Sequence, residues 1–173
     1  MNRLDKELTN RGMVTSRSQA ENYVKLGVVT VNGKIIKKPA FAVASGDDLK
    51  LAGDQYVSRS ALKLASISEQ FALDFREKIV LDIGSSTGGF TDYALQHGAK
   101  KVFAVDVGTD QLHPSLIGDE RVELHEKTDI RNFIAKESID IMVADVSFIS
   151  LTKILPHLKK MASKDTWLIM MCK

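Results

Sequence analysis

The chain has 173 residues, of which 44% are apolar, and its 24 Lys and Arg against 22 Asp and Glu leave a net charge of +2. This composition is enough for one domain with a substantial core or for two small domains. No run approaches the about eighteen apolar residues of a membrane-spanning helix, and the charged N-terminus lacks an apolar signal region. We therefore expect a cytoplasmic protein without a membrane span. The single cysteine excludes an internal disulfide, and four scattered histidines give no metal-ligand spacing, so no metal site is expected.

The positive charge is concentrated in the first part of the chain. Residues 1–52 hold nine Lys and Arg against five Asp and Glu, whereas residues 53–173 hold fifteen against seventeen. A basic segment of this kind suits a polyanionic partner, and it is equally compatible with an ordinary solvated surface.

Residues 1–52 are predicted to form a small helix–helix–hairpin domain. Apolar spacing predicts two short helices within residues 3–26, and Thr15 or Ser16 is placed to cap the second one. Asn32-Gly33 then gives the strongest short-range signal for a β-hairpin.

The remainder of the chain alternates strands and helices. Residues 53–60 form a polar break that we interpret as a linker, and residues 61–173 form the second domain. Apolar runs predict strands at 79–83, 101–106, 122–124, 139–145 and 167–172, and helices at 60–71, 90–97, 130–136 and 150–162. Such alternation predicts an α/β domain with a doubly wound parallel sheet.

A glycine-rich loop between the first of these strands and its helix is the most informative stretch. It lacks the G-x-G-x-x-G pattern of dinucleotide-binding folds and the Gly-Lys-Ser/Thr ending of a P-loop. The loop fits S-adenosylmethionine (SAM), whose amino-acid moiety backbone groups can hold. The predicted cofactor-binding residues of this stretch are Asp82, Gly84, Ser85, Ser86, Thr87, Gly88, Gly89 and Phe90. Core packing is the alternative interpretation of Phe90.

Three acids at later positions complete the predicted cofactor site. Asp106 follows the loop by about twenty residues, where a carboxylate that binds ribose hydroxyls is expected. Asp129 is placed to accept a hydrogen bond from the adenine amino group, and it equally fits a helix N-cap. Asp145 ends the fourth predicted strand, where an acid faces the ligand crevice of such a sheet or simply caps the strand.

The first domain resembles an S4 RNA-binding domain. The resemblance rests on Arg3-Leu-Asp5, Ser16-Arg-Ser-Gln-Ala20, Val31-Asn-Gly-Lys34 and Lys38-Pro39. It implies that the second helix and the hairpin present Arg3, Arg17, Ser18, Lys25, Asn32, Lys34 and Lys38 to structured RNA. Contacts to phosphates and 2′-hydroxyls from such residues suit A-form RNA.

The whole chain resembles the hemolysin-A/TlyA-type ribosomal RNA methyltransferases. These join an S4 domain to a Rossmann-like methyltransferase domain of the RrmJ/FtsJ kind. The matching segments are residues 56–64, 82–91, 105–108 and 144–151, in the family's order. The resemblance implies SAM-dependent 2′-O-methylation of ribosomal RNA, free or in ribosomal subunits, with the S4 domain docking the RNA.

The family's Lys–Asp–Lys–Glu set implies that Lys63, Asp145 and Lys173 are catalytic. A ribose hydroxyl is a poor nucleophile until its proton is removed, and a lysine that lies near another cation can accept that proton. Which lysine is the base stays open. Lys63 also fits a lysine that extends from a packed helix towards solvent.

The glutamate of the set belongs to a segment that follows residue 173 in the family. We therefore expect a C-terminally truncated chain, in which methyl transfer is weak or absent and cofactor binding survives. The sheet edge that such a chain exposes invites self-association. Two alternative functions are an RNA-binding protein with a degenerate methyltransferase domain and a membrane-lytic hemolysin. We expect no amphipathic basic helix, which disfavours the second alternative.

Overall fold

The computed structural model describes residues 1–51, 56–147 and 149–172. The chain divides into two compact units, Met1–Gln55 and Tyr56–Lys173. The second unit begins at Tyr56 rather than at the predicted residue 61, because the intervening residues pack into it. The Tyr56 ring is buried 5.6 Å from that of Tyr93, and the Val57 amide donates to Asp92 at 2.7 Å. Residues 53–55 of the predicted linker lie outside the described residues.

The first unit combines two helices with short antiparallel strands. Its elements are β1 (Asn2–Arg3), α1 (Leu4–Asn10), α2 (Arg17–Leu26), β2 (Val29–Val31), β3 (Lys34–Ile35), β4 (Ala42–Val43) and β5 (Leu49–Leu51). The strands pair in the order β3-β2-β5 and, separately, β1-β4. Leu4, Leu8 and Val24 are fully buried in the core that the helices share with β2.

Local sequence signals explain how these elements begin and turn. Ser16 caps α2, since its hydroxyl accepts a hydrogen bond from the Gln19 amide at 3.2 Å, and Gln19 in turn accepts one from the Thr15 amide at 2.8 Å. Asn32 and Gly33 both have positive φ, 51° and 80°, as a two-residue hairpin turn requires. The predicted hairpin is therefore present.

The second unit is an α/β domain around a five-stranded parallel sheet. Its elements are α3 (Ser60–Phe71), β6 (Ile79–Ile83), α4 (Gly89–Gln96), β7 (Lys101–Val105), α5 (Pro114–Ile117), β8 (Val122–His125), the 3-10 helix Ile130–Asn132, β9 (Ile139–Ala144), α6 (Leu151–Met161) and β10 (Ala162–Met170). Apolar residues of α3, α4 and α5 pack on one face of the sheet, and those of the 3-10 helix and α6 pack on the other. This is the predicted Rossmann-like fold. Among the described residues, no helix is long and apolar enough to cross a membrane.

The strand order fixes where a ligand can bind. The strands lie in the order β10-β9-β6-β7-β8, so the chain moves outward from β6 to β8 and then crosses to β9 on the other side of β6. Ligands of such sheets bind at the carboxyl ends of the strands, where this reversal opens a crevice. The loops after β6 and β9 are therefore the expected walls of a binding site.

Two predicted elements differ from the structure. The helix predicted at 130–136 is only the three-residue 3-10 helix, because Phe133 turns extended and buries its ring 5.8 Å from that of Phe103. Strand β10 starts earlier than predicted and has a register irregularity between Ala162 and Trp167. Within the described residues β10 pairs only with β9, and it leaves Trp167 54% exposed at the sheet edge.

A glycine allows α3 and α4 to approach each other closely. A Cβ atom at Gly89, the first residue of α4, would collide with the Ser60 hydroxyl and lie 3.0 Å from the backbone nitrogen of Ala61. Both of these residues belong to the first turn of α3, so the helix pair requires glycine at this position. The contact fixes where the rest of α3 lies on the domain.

Replacing Gly89 with alanine tests this close approach. We expect Gly89→Ala to lower the free energy of unfolding by about 1–3 kcal/mol, because the backbone of α3 has to shift. Denaturant unfolding of the whole chain measures the change. Gly118→Ala is the matched control, since a Cβ there meets nothing within 4 Å. Equal stability of the two variants would show that the approach is not constrained.

Candidate active site

A cleft of about 700 Å³ opens at the carboxyl ends of β6, β7 and β9. Its walls are the loop after β6, the end of β7, the turn before the 3-10 helix and the loop between β9 and α6. This is the place that the strand order selects. Nine of the predicted cofactor residues line the cleft: Asp82, Gly84, Ser85, Ser86, Thr87, Phe90, Asp106, Asp129 and Asp145.

The two remaining glycines of the loop do not line the cleft. Gly88 has φ 92° and caps α4, and a Cβ at this position would collide with the side chains of Leu112 and Leu116. Gly89 instead forms the contact with α3. Packing and backbone conformation thus explain these two glycines without a ligand.

Within the loop, packing explains Gly84, whereas Ser85 has a feature that suits a bound ligand. Gly84 has φ 77°, and a Cβ there would lie 3.1 Å from Cγ1 of Val146, so the loop approaches the β9 side closely. Ser85 is 5% exposed, and its hydroxyl has no hydrogen-bond partner within the part of the chain that the structure describes. A buried polar atom without a partner is costly unless a ligand or water satisfies it.

Asp82 anchors the start of α4 below this loop. Its carboxylate accepts hydrogen bonds from the Thr91 amide at 3.0 Å and from the Thr91 hydroxyl at 2.7 Å. The side chain is fully buried, and burial raises the pKa of Asp82 to about 7, with the nearby charges of Asp106 and Asp145 adding to the increase. A proton on Asp82 therefore reduces the total negative charge of the three acids in the cleft.

Asp106 joins two of the cleft walls at the end of β7. Its Oδ2 atom accepts a hydrogen bond from the Ser86 amide at 2.8 Å, and Oδ1 accepts one from the Gly108 amide at 2.7 Å. A carboxylate oxygen can accept more than one hydrogen bond, so both atoms retain capacity for ligand hydroxyls.

Asp129 has the N-cap role that its sequence position allowed, and its contact with adenine stays a prediction. It caps the 3-10 helix by accepting from the Arg131 amide at 2.9 Å, and it also lines the cleft. The Arg131 guanidinium binds both carboxylate oxygens and lowers the pKa of Asp129 to about 2. Asp129 is therefore a fixed, ionised acceptor at this wall.

Lys63 and Asp145 meet across 82 positions of sequence. The Lys63 Nζ atom donates to Oδ2 of Asp145 at 2.6 Å; the lysine side chain is 50% exposed and that of the aspartate 13%. Lys63 lies on α3 and Asp145 directly follows β9, so helix packing brings a cation to the carboxylate that lines the cleft. Lys173, the second predicted lysine, lies outside the described residues.

Several cleft residues were not singled out from the sequence. For three of them, Arg131, Val146 and Ser147, the available signal was a position within two residues of Asp129 or Asp145. The other three are Ser58, Gln111 and Lys153, and no such signal marked them.

The predicted RNA-binding residues of the first unit fall into three groups. Arg3 and Arg17 both contact Asp5, and Lys25 lies 3.9 Å from Glu21. Asn32 supports the hairpin, because its amide group donates to Asp47 at 2.9 Å and accepts from the Asp48 backbone at 2.9 Å. The remaining predicted residues are exposed: Ser18, Lys34 and Lys38.

Comparisons with known proteins agree with this architecture. Residues 56–173 match the family model of the FtsJ-like methyltransferases, and residues 2–49 match that of the S4 domain. Hemolysin A of Brachyspira hyodysenteriae is 40% identical over 95% of this chain and 71% of its own length. The Mycobacterium tuberculosis protein named 16S/23S rRNA (cytidine-2′-O)-methyltransferase TlyA is 41% identical over 99% of this chain and 66% of its own length.

A solved structure is also similar over nearly the whole chain. A hemolysin-type protein of Streptococcus thermophilus has a TM-score of 0.65 and 40% identity, covering 97% of this chain and 64% of that protein. The chain thus spans about two thirds of the length of these relatives. The predicted fold and the resemblance to this group of proteins are confirmed.

Replacing Asp82 with asparagine tests the protonation of the buried carboxyl. Because its folded pKa is raised from 3.8 to about 7, wild type should lose stability relative to Asp82→Asn as pH rises between these values. The slope of the difference is at most about 1.4 kcal/mol per pH unit. Denaturant unfolding across this pH range measures it. Glu120→Gln, at an exposed acid, should follow wild type, and a curve for Asp82→Asn parallel to wild type would contradict the raised pKa.

Proposed function

Because the chain belongs to the FtsJ-like methyltransferase family, we propose that it methylates the 2′-hydroxyl of ribose in ribosomal RNA with SAM as the methyl donor. The name of the Mycobacterium tuberculosis relative supports both the substrate and the reaction. The observation that carries the proposal is the Lys63–Asp145 contact at the cleft. An enzyme with this substrate acts in the cytoplasm, on free ribosomal RNA or on ribosomal subunits.

The residues of the cleft fit SAM. The loop at 84–87 offers backbone groups to the amino-acid moiety, as does the Ser85 hydroxyl, which has no hydrogen-bond partner among the described residues. Asp106 offers two oxygens to the ribose hydroxyls, and Asp129 offers an acceptor to the adenine amino group. When bound, SAM supplies an electrophilic methyl group on a sulfonium.

Lys63 and Asp145 are suited to prepare the ribose hydroxyl for attack. Asp145 accepts from Lys63 through Oδ2 and lines the cleft, so a hydroxyl that enters beside it meets a carboxylate paired with an ammonium group. The hydroxyl proton then has an acceptor within hydrogen-bond reach, as general-base catalysis requires. Rate is gained mainly because these groups fix the position and direction of the oxygen.

The S4 domain is proposed to dock the RNA. Its match covers residues 2–49, the part of the chain in which Lys and Arg exceed Asp and Glu. Contacts to phosphates provide affinity without reading sequence, so the S4 domain supplies binding and the cleft supplies chemistry.

The structure favours catalysis over the two alternative functions. A protein that only bound RNA would need neither the cleft nor the contact of Lys63 with Asp145. For membrane lysis, the expectation that the chain has no amphipathic basic helix is wrong, because α6 is amphipathic and carries three lysines. Its apolar residues Ile154 and Leu158 are nevertheless fully buried in the core, so this face is not available to lipid.

Replacing Asp106 tests the cofactor part of the proposal. We expect Asp106→Asn to weaken SAM binding about tenfold, because charge-assisted acceptors become a neutral amide and the two loops lose their common anchor. Isothermal titration of the protein with SAM measures the affinity. Asp110→Asn, an exposed acid beyond the same strand, should bind like wild type. Unchanged affinity of Asp106→Asn would remove this residue from the cofactor site.

Replacing Lys63 or Asp145 tests the chemical part. We expect Lys63→Ala and Asp145→Asn to slow methyl transfer to ribosomal RNA about 100-fold, because each breaks the pair that orients the hydroxyl and takes its proton, while SAM affinity of Lys63→Ala stays close to wild type. Labelled SAM with protein in excess over RNA makes even slow transfer measurable. Lys136→Ala, an exposed lysine away from the cleft, is the control. Wild-type transfer rates in Lys63→Ala would contradict the proposed chemistry.

A further inference from the structure

A buried carboxylate lies beneath two arginines of the first unit. The side chain of Asp5 is fully buried, while those of Arg3 and Arg17 are 43% and 50% exposed. Arg3 binds Asp5 through two parallel bonds, Nε to Oδ1 at 3.0 Å and Nη2 to Oδ2 at 2.8 Å. Arg17 donates from Nε to the same Oδ2 atom at 3.0 Å. One carboxylate oxygen thus holds both guanidinium groups side by side.

The rest of the fold holds Asp5 in place. It lies in the first turn of α1, between the fully buried residues Leu4 and Leu8 of the core. Its own amide donates to the Pro39 carbonyl at 3.1 Å, and its Oδ1 atom accepts from the Lys6 amide at 3.0 Å. The hydrogen bonds from Arg3 and Arg17 hold the pKa of Asp5 well below its usual range, so the carboxylate stays charged at neutral pH.

We propose that Asp5 is a positioning residue for RNA binding, which holds Arg3 and Arg17 as one two-guanidinium site for the RNA backbone phosphates. The proposal rests on the RNA substrate of the proposed function. Each guanidinium carries five N–H donors, so the bonds to Asp5 leave outer donors of both arginines for phosphate oxygens. The arginines are the groups that contact RNA, and Asp5 acts through them.

The carboxylate is needed because two adjacent guanidinium groups repel each other. Long arginine side chains without a common anchor adopt many rotamers, and the entropy of fixing them opposes binding. The bonds to Asp5 already fix both side chains when the domain folds, so RNA binding does not carry this entropy cost. The negative charge of Asp5 by itself opposes RNA binding. Neutralising Asp5 should therefore tighten RNA binding if only net charge matters, and weaken it if Asp5 positions the arginines.

The experiment measures binding of protein-free, labelled ribosomal RNA to the whole chain over a range of salt concentrations. If Asp5 positions the arginines, Asp5→Asn binds RNA about tenfold more weakly and with a shallower salt dependence, although it has one negative charge less. Glu21→Gln is the matched control, because Glu21 also lies near Arg17, at 3.6 Å, but is partly exposed. It should bind RNA as tightly as wild type or more tightly. Equal or tighter binding by Asp5→Asn would overturn the proposal.

A second variant guards against a folding defect in Asp5→Asn. Arg17→Lys keeps the charge and leaves Asp5 bonded to Arg3, but it removes the planar guanidinium. The proposal predicts weaker RNA binding by Arg17→Lys at unchanged unfolding stability, and wild-type affinity would overturn it. These outcomes are separate from methyl transfer. If the variants differ in RNA affinity as predicted but the methyl group is transferred to a base instead of a ribose 2′-oxygen, only the proposed function is contradicted.

Discussion

The close approach of α3 to α4 at Gly89 is the constraint on which the candidate site depends. Because glycine lets the first turn of α3 lie against the start of α4, the next turn of α3 brings Lys63 to Asp145 at the end of β9. The start of α4 is in turn held by Asp82 at the end of β6. A helix contact, a buried carboxyl and an ion pair therefore form one connected arrangement at the strand reversal of the sheet.

Three carboxyl groups converge on the cleft because they follow or end neighbouring parallel strands. Asp82, Asp106 and Asp145 would repel one another if all were ionised without partners. The structure reduces this cost differently for each: burial favours protonation of Asp82, backbone amides bind Asp106, and Lys63 binds Asp145. In the first unit the charges are reversed: two positive side chains lie close together, and the carboxylate of Asp5 compensates them. Charge compensation therefore shapes both the cleft and the surface proposed to bind RNA.

Much of this could be predicted from the sequence because the signals were local. Helix α3 has the predicted bounds, and the acids at strand ends lie where parallel strands must place them. Other features depend on tertiary contacts that no local pattern encodes. The packing of Phe133 on Phe103 ends the predicted helix after Asn132. Close contacts with α5 and α3 are the reason for glycine at positions 88 and 89. The proposed role of Asp5 could not be predicted either, because it depends on the hydrogen bond that Arg17, on the second helix, donates to Asp5 on the first.

The most direct test of the account is the chemical position of the transferred methyl group. Ribosomal RNA treated with the protein and labelled SAM would be digested to nucleosides, and the labelled nucleoside identified by its mass. In a parallel sample, alkaline hydrolysis of the RNA would leave the phosphodiester that follows a 2′-O-methyl ribose intact, because no 2′-hydroxyl is there to attack it. The account predicts label in a 2′-O-methyl nucleoside, since Lys63 and Asp145 are suited to remove a hydroxyl proton. Label in a base-methylated nucleoside would contradict it.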